Sequence, residues 1–280
     1  LVAEDIRITD AHYGLTLELW KCDRCGFIFA PEANSQELVD LYGKLDDAEY
    51  VNGLESRCLQ FRRLLDKVLC LFPSSQSMLD VGAGMGLLVR EGQAKGLKAV
   101  GVEPSRWLVE AGRSHFGLDI LQGILPHPNL TNQTFDLVFL VDVLEHVADP
   151  LALLSHCRRA LSPNGALIVI APDVHSMAAR ILGKKWWHFR LAHVGYFDRK
   201  TLISAATRSG FRPFRFMRAS WYFEIGYLAE RLARYLPIRW WNRLAVRFSP
   251  IRWLYKRTIP LNLFDSWVGV FVPTSEDFHP

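Results

Sequence analysis

The chain has no uninterrupted apolar run near the ~18 to 20 residues that span a bilayer, and its amino terminus lacks a basic-then-apolar signal pattern. Both absences argue against a transmembrane or secreted protein and predict an intracellular, cytoplasmic one. Cysteine is scarce as well: Cys22, Cys25, Cys58, Cys70 and Cys157 are five in 280 residues, which suggests no disulfide framework in a chain this long. Cys58 and Cys70 fall in a helical pattern, where small core residues belong. Net charge is only +4, yet it is uneven: residues 208–257 hold twelve Arg/Lys against Glu224 and Glu230, together with thirteen of the 34 aromatics. That stretch predicts a discrete basic and aromatic surface on an otherwise slightly acidic protein. What is plentiful is apolar content, 50% of residues, enough for one large α/β core and a small appendage.

A further absence separates two cofactor classes. Residues 77–86, Ser-Met-Leu-Asp-Val-Gly-Ala-Gly-Met-Gly, read as a short buried strand (Met78, Leu79, Val81) entering a glycine turn ahead of a helix-like stretch. Gly82, Gly84 and Gly86 permit a tight bend and let a ligand approach the backbone. Strand, turn and helix predict a doubly wound sheet that binds at its carboxyl edge. A dinucleotide fingerprint requires Gly-x-Gly-x-x-Gly, but Leu87 occupies the third glycine's place and Asp80 precedes the turn where that fingerprint is apolar. A nicotinamide oxidoreductase is therefore the weaker alternative.

The turn resembles motif I of the class I S-adenosylmethionine-dependent methyltransferases, an acidic residue followed by x-Gly-x-Gly-x-Gly. By that resemblance Asp80, Gly82, Ala83, Gly84 and Gly86 would hold the methionine portion of S-adenosylmethionine. Lys98–Glu103 reads as a second strand whose acidic end can accept hydrogen bonds from both ribose hydroxyls, with a solvated strand-end Glu as the plainer alternative. Ser105 caps the next helix, Leu118–Leu121 reads as a third strand, and Gln122 and Gly123 fall where these methyltransferases contact adenine.

Phe135–Asp142 is a fourth strand leading into Val-Leu-Glu145-His146-Val-Ala-Asp149-Pro150. This Phe-Asp strand with Leu-Glu-His-Val and Asp-Pro is similar to the small-molecule methyltransferases typified by ubiquinone-biosynthesis O-methyltransferases. The resemblance continues through a helix, Ser162-Pro-Asn-Gly165 and a fifth strand at Ala166–Ala171, with Asn164 where the family has Gly. It implies a Rossmann-like α/β fold with a seven-stranded sheet whose last strand is antiparallel. It also places Asp142 and Glu145 at the cofactor's methionine end.

Residues 173–197, rich in Trp, Lys and His, read as a substrate lid, because a loop of that length inside a compact domain is uncommon unless functional. Phe211–Arg218 alternates as a sixth strand and Trp267–Val272 as the last. Between them Trp221, Ile225, Leu228, Leu232 and Tyr235 recur at helical spacing, and Ile238, Trp241, Ala245 and Phe248 continue the pattern. Near the amino terminus Cys22-Asp-Arg-Cys25-Gly resembles half of a zinc ribbon; zinc wants four ligands, so Cys22 and Cys25 would need partners, with His12 a weak third. Two free thiols are the plainer reading. The expected organisation is a partial ribbon-like segment (1–34), the methyltransferase core with its lid (35–220), a basic aromatic helical insertion (221–263), and the final strand and tail (264–280).

Methyl transfer needs two bound partners held in line more than it needs covalent catalysis. A general base helps if the acceptor is a hydroxyl, and His146 and His193 are the candidates, followed by His188 and Asp173. Either of the first two can equally serve in capping or packing. The acceptor is expected to be a small or lipid-linked molecule methylated at oxygen. The insertion can lie at an anionic membrane surface as an amphipathic helix, bind nucleic acid, or simply cap the core. Nucleic acid ranks low because no RNA-binding module is recognisable. A non-catalytic scaffold binding a partner or membrane through the insertion is the rival of a different class.

Overall fold

The computed structural model describes residues 13–51, 53–226, 228–229, 255 and 257–274. In chain order the elements are β1 (Trp20–Lys21), β2 (Ile28–Phe29), α1 (Ser35–Gly43), α2 (Leu54–Leu71), β3 (Ser77–Val81), α3 (Leu87–Ala94), β4 (Lys98–Glu103), α4 (Arg106–Phe116), β5 (Leu121–Gln122) and β6 (Phe135–Val141). There follow α5 (Pro150–Ala160), β7 (Leu161–Pro172), α6 (Met177–Leu182), β8 (Gly195–Tyr196), α7 (Arg199–Arg208), β9 (Phe211–Arg218), β10 (Trp221–Glu224), β11 (Thr258–Leu261) and β12 (Ser266–Pro273).

Seven strands form the main sheet in the order β5-β4-β3-β6-β7-β12-β9, parallel from β5 to β7 and antiparallel at β12. This is the expected Rossmann-like methyltransferase sheet. Its central strands are buried on both faces, so they read as continuous apolar runs whose alternate residues serve two cores. Met78, Leu137, Phe139, Ile168 and Val270 pack beneath Leu64, Leu65 and Val68 of α2. Leu79, Val138, Leu140, Val169 and Phe271 face Leu154 and Cys157 of α5 and Leu202 and Ala206 of α7. Burial of this kind contributes roughly 1.5–3 kcal/mol per large side chain and fixes the strand register.

A small second sheet, β1-β2-β8, ties the Cys22–Cys25 hairpin to the lid. Ala30 N–H donates to Val194 C=O at 2.8 Å, and the Phe27 and Phe197 rings meet at 4.7 Å. Residues 173–197 accordingly fold into α6 and a turn around the fully buried Trp186, which packs with Leu19, Ile28 and Tyr196.

Four local expectations change. Cys70, expected in the core with Cys58, is exposed near the end of α2, because it falls on the solvent side of that helix, whereas Cys58 is buried. The third strand is only Leu121–Gln122, because Leu118 and Ile120 are buried against Gly86 and the α4 side of the turn instead of joining the ladder. The fifth strand is assigned from Leu161, with irregular pairing to β6 between Leu161 and Ala166 where a turn is expected. Trp221–Glu224 is strand, not helix: Trp221 pairs with Leu261 and Glu224 with Thr258, and these β-prone aromatics find a partner that helical spacing cannot reveal. Ile225 and Leu228 are helical, while Leu232, Tyr235, Ile238, Trp241, Ala245 and Phe248 lie outside the described residues.

Candidate active site

The parallel register Val81↔Val102 ends β3 and β4 side by side, so the glycine turn and Glu103 share one edge. Gly84 N–H donates to Glu103 Oε2 at 2.8 Å and Ser105 N–H donates to Oε1 at 2.9 Å. Gly84 has φ 55°, and a Cβ there would lie 2.7 Å from the Tyr50 hydroxyl, so both backbone and space demand glycine. The ring of Tyr50, with the Arg57 guanidinium 4.1 Å from its centroid, covers the turn. Burial raises Glu103 to about 7, offset in part by its two backbone donors; burial and the neighbouring Glu103 raise Asp80 to about 8. Two buried carboxylates with raised pKa favour a ligand bearing hydroxyl donors or positive charge. Beside them an open recess of about 510 Å³ is lined by Gly43, Lys44, Pro104, Gln122, Gly123 and Ile124, bringing the expected adenine contacts to the end of β4.

Across the sheet the ends of β6 and β7 meet residues 173–197, Asp142 N–H donating to Ile170 C=O and Val194 N–H to Glu145 C=O. Asp142 has φ 53°, rare for a residue with a side chain, and its Oδ1 is buried without a hydrogen-bond partner. Burial and the charge of Asp265 raise it to about 7. The electrostatic partner of Asp142 is thus Asp265, from the loop before β12, which no motif announced. Glu145 is 2% exposed, has an unpartnered Oε2, and is raised well above the ordinary range by burial and by Asp142.

His146 Nδ1 lies 2.9 Å from Ala192 C=O, so it carries the proton and Nε2 is left as an acceptor; the Tyr42 hydroxyl is 2.6 Å from the same nitrogen. Burial and nearby Arg190 lower His146 to about 3. His193, 4% exposed with an unpartnered Nδ1, is likewise held well below its ordinary value by burial and by His146. Their rings meet edge to face at 4.6 Å. The fold therefore brings both predicted histidines together, 47 residues apart in sequence, but keeps them neutral, which weakens each as a proton acceptor. The ligating atoms of Glu145, His146 and His193 lie within 4.8 Å of one another, a donor set that suits a divalent cation.

His188 Nε2 is 3.4 Å from Asp265 Oδ2, whereas Asp173 turns aside to pair with Arg218 at 2.8 Å. Cys22 and Cys25 form a knuckle closed by Gly26 N–H to Cys22 C=O at 2.8 Å, and backbone N–H groups of Cys25 and Arg24 lower the Cys22 thiol. No third ligand joins them among the described residues; His12 lies outside those residues.

Several known proteins resemble this chain. Ubiquinone biosynthesis O-methyltransferases from Rhodopseudomonas palustris (strain TIE-1) and Bradyrhizobium sp. (strain ORS 278) are 28% and 30% identical over 172 and 167 residues, covering 58% and 56% of this chain. The chain spans 63% and 61% of those relatives' own length. Two solved structures share the fold: the complex of the Trm112 methyltransferase activator with a methyltransferase from Haloferax volcanii (TM-score 0.55, 16% identity, 88% of this chain and 100% of that one), and a SAM dependent methyltransferase from Archaeoglobus fulgidus (TM-score 0.53, 17% identity, 80% and 99%). The sequence pattern of the family described as "Methyltransferase domain" matches residues 55–214. Because that match takes in the whole edge from the glycine turn to the lid, and more than half of the chain, the protein belongs to the methyltransferase-domain family.

Proposed function

We propose that the chain transfers the methyl group of S-adenosylmethionine to an oxygen of a small-molecule acceptor, as the names of its ubiquinone-biosynthesis relatives suggest. The observation that carries this reading is the Glu103 carboxylate seated on the Gly84 amide at the ends of adjacent strands. When bound, S-adenosylmethionine supplies an electrophilic methyl group on a sulfonium. Asp80, Gly82, Ala83, Gly84 and Gly86 would cradle its methionine portion, Glu103 would accept from the ribose hydroxyls, and Gln122 and Gly123 would border the adenine. Asp142 would stand between cofactor and acceptor.

The lid closes over the acceptor side, and Trp186 and Tyr196 exclude water from it. Neutral His146 and His193, with Glu145, would orient the acceptor hydroxyl and take up its proton, or would hold a divalent cation whose charge favours the ionised hydroxyl. The cation reading is favoured by how closely the three ligating atoms converge. Zinc at Cys22 and Cys25 is a separate, structural part of the proposal, supported by the knuckle turn and the lowered thiol. A lipid-linked acceptor at the cytoplasmic face of the inner membrane is the finer reading. Its support is the basic, aromatic composition of residues 208–257 and the exposure of Met177 and Ile181 beside Arg180 on the lid helix. No helix among the described residues is long and apolar enough to cross a membrane.

Calorimetry with S-adenosylhomocysteine, followed by transfer of labelled methyl from S-adenosylmethionine to a cell extract, tests the reading. Binding with a labelled small-molecule product is expected. Binding without product favours the scaffold alternative, and no binding removes the proposal.

A further inference from the structure

On the α2 side of the sheet a small cavity opens between α2, the end of β9 and β10. Its floor is apolar: Leu64 of α2, Ile170 of β7 and Val268 of β12 are all buried in the core on that face. Its walls are cationic. Arg63 and Lys67 stand one helical turn apart on α2, and Arg218 borders the same space from the end of β9. Ser220 and Tyr222 add hydroxyl-bearing side chains, and among the described residues no Asp or Glu lines the cavity.

Three cations gathered without an acid repel one another, and the apolar floor strengthens that repulsion by lowering the local dielectric. The neighbouring charges on α2 are balanced: Asp66 pairs with Lys95 at 2.5 Å and Arg62 with Glu91 at 2.8 Å. Arg63 and Lys67 form no ion pair among the described residues. Arg218 is fixed in place, its guanidinium 3.4 Å from the Trp267 ring centroid and its Nη1 2.8 Å from Asp173 Oδ2. A guanidinium carries five N–H donors, so this one bond leaves a rigid group with donors to spare. Size narrows the ligand further. The cavity gives about 30 Å³ to the centre of a water-sized sphere, room for about two waters or one compact oxyanion, and too little for a nucleoside. A tetrahedral phosphate presents oxygens in several directions at once, which suits donors arriving from three elements.

We propose that this cavity is a second binding site, separate from the methyl-transfer site, for inorganic phosphate or the phosphate end of a small ester. Arg63, Lys67 and Arg218 supply the charge, and Ser220 and Tyr222 the neutral donors. The cavity shares no residue with the recess at Gln122 and Gly123 or with Glu145, His146 and His193, so the proposal does not depend on the methyl-transfer reading. Bound phosphate neutralises the cations of α2 and ties that helix to β10, and it therefore stabilises the fold.

The test is a phosphate titration of the whole chain, read by calorimetry and by Tm. A chelator in the buffer excludes a bridging cation, and sodium chloride holds the ionic strength constant so that screening alone gives no signal. Wild type is expected to bind one phosphate with Kd at or below about 1 mM and to gain Tm saturably. Arg63→Gln/Lys67→Gln, at exposed positions and with good helix formers, should weaken phosphate at least about tenfold while S-adenosylhomocysteine affinity stays within about twofold. Lys67→Gln alone should weaken it about threefold, and decides the matter if the double variant fails to fold. Lys200→Gln, exposed on α7, should leave phosphate affinity within about twofold. Methyl phosphate separates the two sources: affinity equal to that of phosphate assigns an ester, and loss of binding assigns the free ion. Equal phosphate binding by wild type and the Arg63/Lys67 variants, binding abolished by saturating S-adenosylhomocysteine, or no effect beyond that of chloride overturns the assignment.

Discussion

At the cofactor half of the sheet edge Glu103 has both oxygens occupied by backbone N–H groups from two different loops; at the acceptor half Asp142, Glu145 and Asp265 each keep an oxygen without a partner. The first arrangement is assembled from main chain, within 26 residues of sequence from Asp80 to Ser105. The second draws side chains from distant segments, Asp142 and Glu145 from the end of β6 and the turn after it, and Asp265 from the loop before β12. A site built from backbone recognises what every S-adenosylmethionine enzyme must hold. On the proposed function, the side chains of the second half face the acceptor, whose identity distinguishes one enzyme from another. The contrast can be broken if changes in one half damage the other.

The largest effect is expected at the turn. Gly84→Val places a β-branched residue at φ 55° and its Cβ against the Tyr50 hydroxyl, so S-adenosylhomocysteine binding should fall below calorimetric detection. Retained binding within about tenfold would show that the cofactor does not approach this backbone. In the acceptor half, His193→Ala should lower kcat by up to about 10²-fold, the cost of a misplaced acceptor or a lost cation ligand, while cofactor affinity stays within about twofold. A matching loss of cofactor affinity would dissolve the division. Dialysis against a chelator followed by addition of Mg²⁺, Mn²⁺ or Zn²⁺ separates the two roles of this residue: activity that needs no cation removes the metal reading.

The buried carboxylates give the halves a common pH signature of definite sign. Asp80 rises from 3.8 to about 8, Glu103 from 4.5 to about 7 and Asp142 from 3.8 to about 7, all chiefly through burial. Between about pH 4 and pH 8 the native state therefore retains protons that the unfolded chain has released. Stability is greatest at the acid end of that window and declines as pH rises through it. The Tm without cofactor should fall on the order of 5 °C from pH 5.5 to pH 8.5. Saturating S-adenosylhomocysteine should flatten the decline, because ribose hydroxyls favour ionised Glu103; Glu103→Gln should flatten it without ligand and weaken cofactor binding roughly 5- to 150-fold, the equivalent of the ~1–3 kcal/mol for a lost buried hydrogen bond. A Tm that climbs with pH would contradict the burial of these groups.

The same contrast explains what could be read in the sequence. Strand, glycine turn and Glu103 are contiguous, and their spacing alone sets them on one edge. His146 and His193 could be named from motif and loop position, but not their contact, which depends on Val194 N–H donating to Glu145 C=O and on β8 pairing with β2. Asp265 carried no signal, since a lone Asp in Leu-Phe-Asp-Ser looks like any loop residue, and its burial depends on bonds from the distant Asp173 N–H and Trp187 Nε1. Trp221–Glu224 misled for a related reason: helical periodicity is a local property, and its strand partner at Thr258–Leu261 arrives 34 residues later. The basic insertion's remaining face, at residues 230–254, lies outside the described residues.

The smallest predicted effect tests a hydrogen-bonding group that reaches from the helix beside the Gly43–Lys44 recess to His146. Tyr42, near the end of α1, sets its hydroxyl 2.6 Å from His146 Nδ1, and burial raises its pKa far above the ordinary value. Because that nitrogen also donates to Ala192 C=O, Tyr42→Phe leaves the imidazole anchored and removes one hydrogen bond of about 1 kcal/mol. In a chain of this size the expected outcome is a Tm lower by about 2–4 °C, with S-adenosylhomocysteine affinity within about twofold of wild type. Should cofactor affinity drop tenfold instead, α1 would be coupling the recess lined by Gly43 and Lys44 to His146, and the two halves of the edge would have to be treated as a single cooperative site.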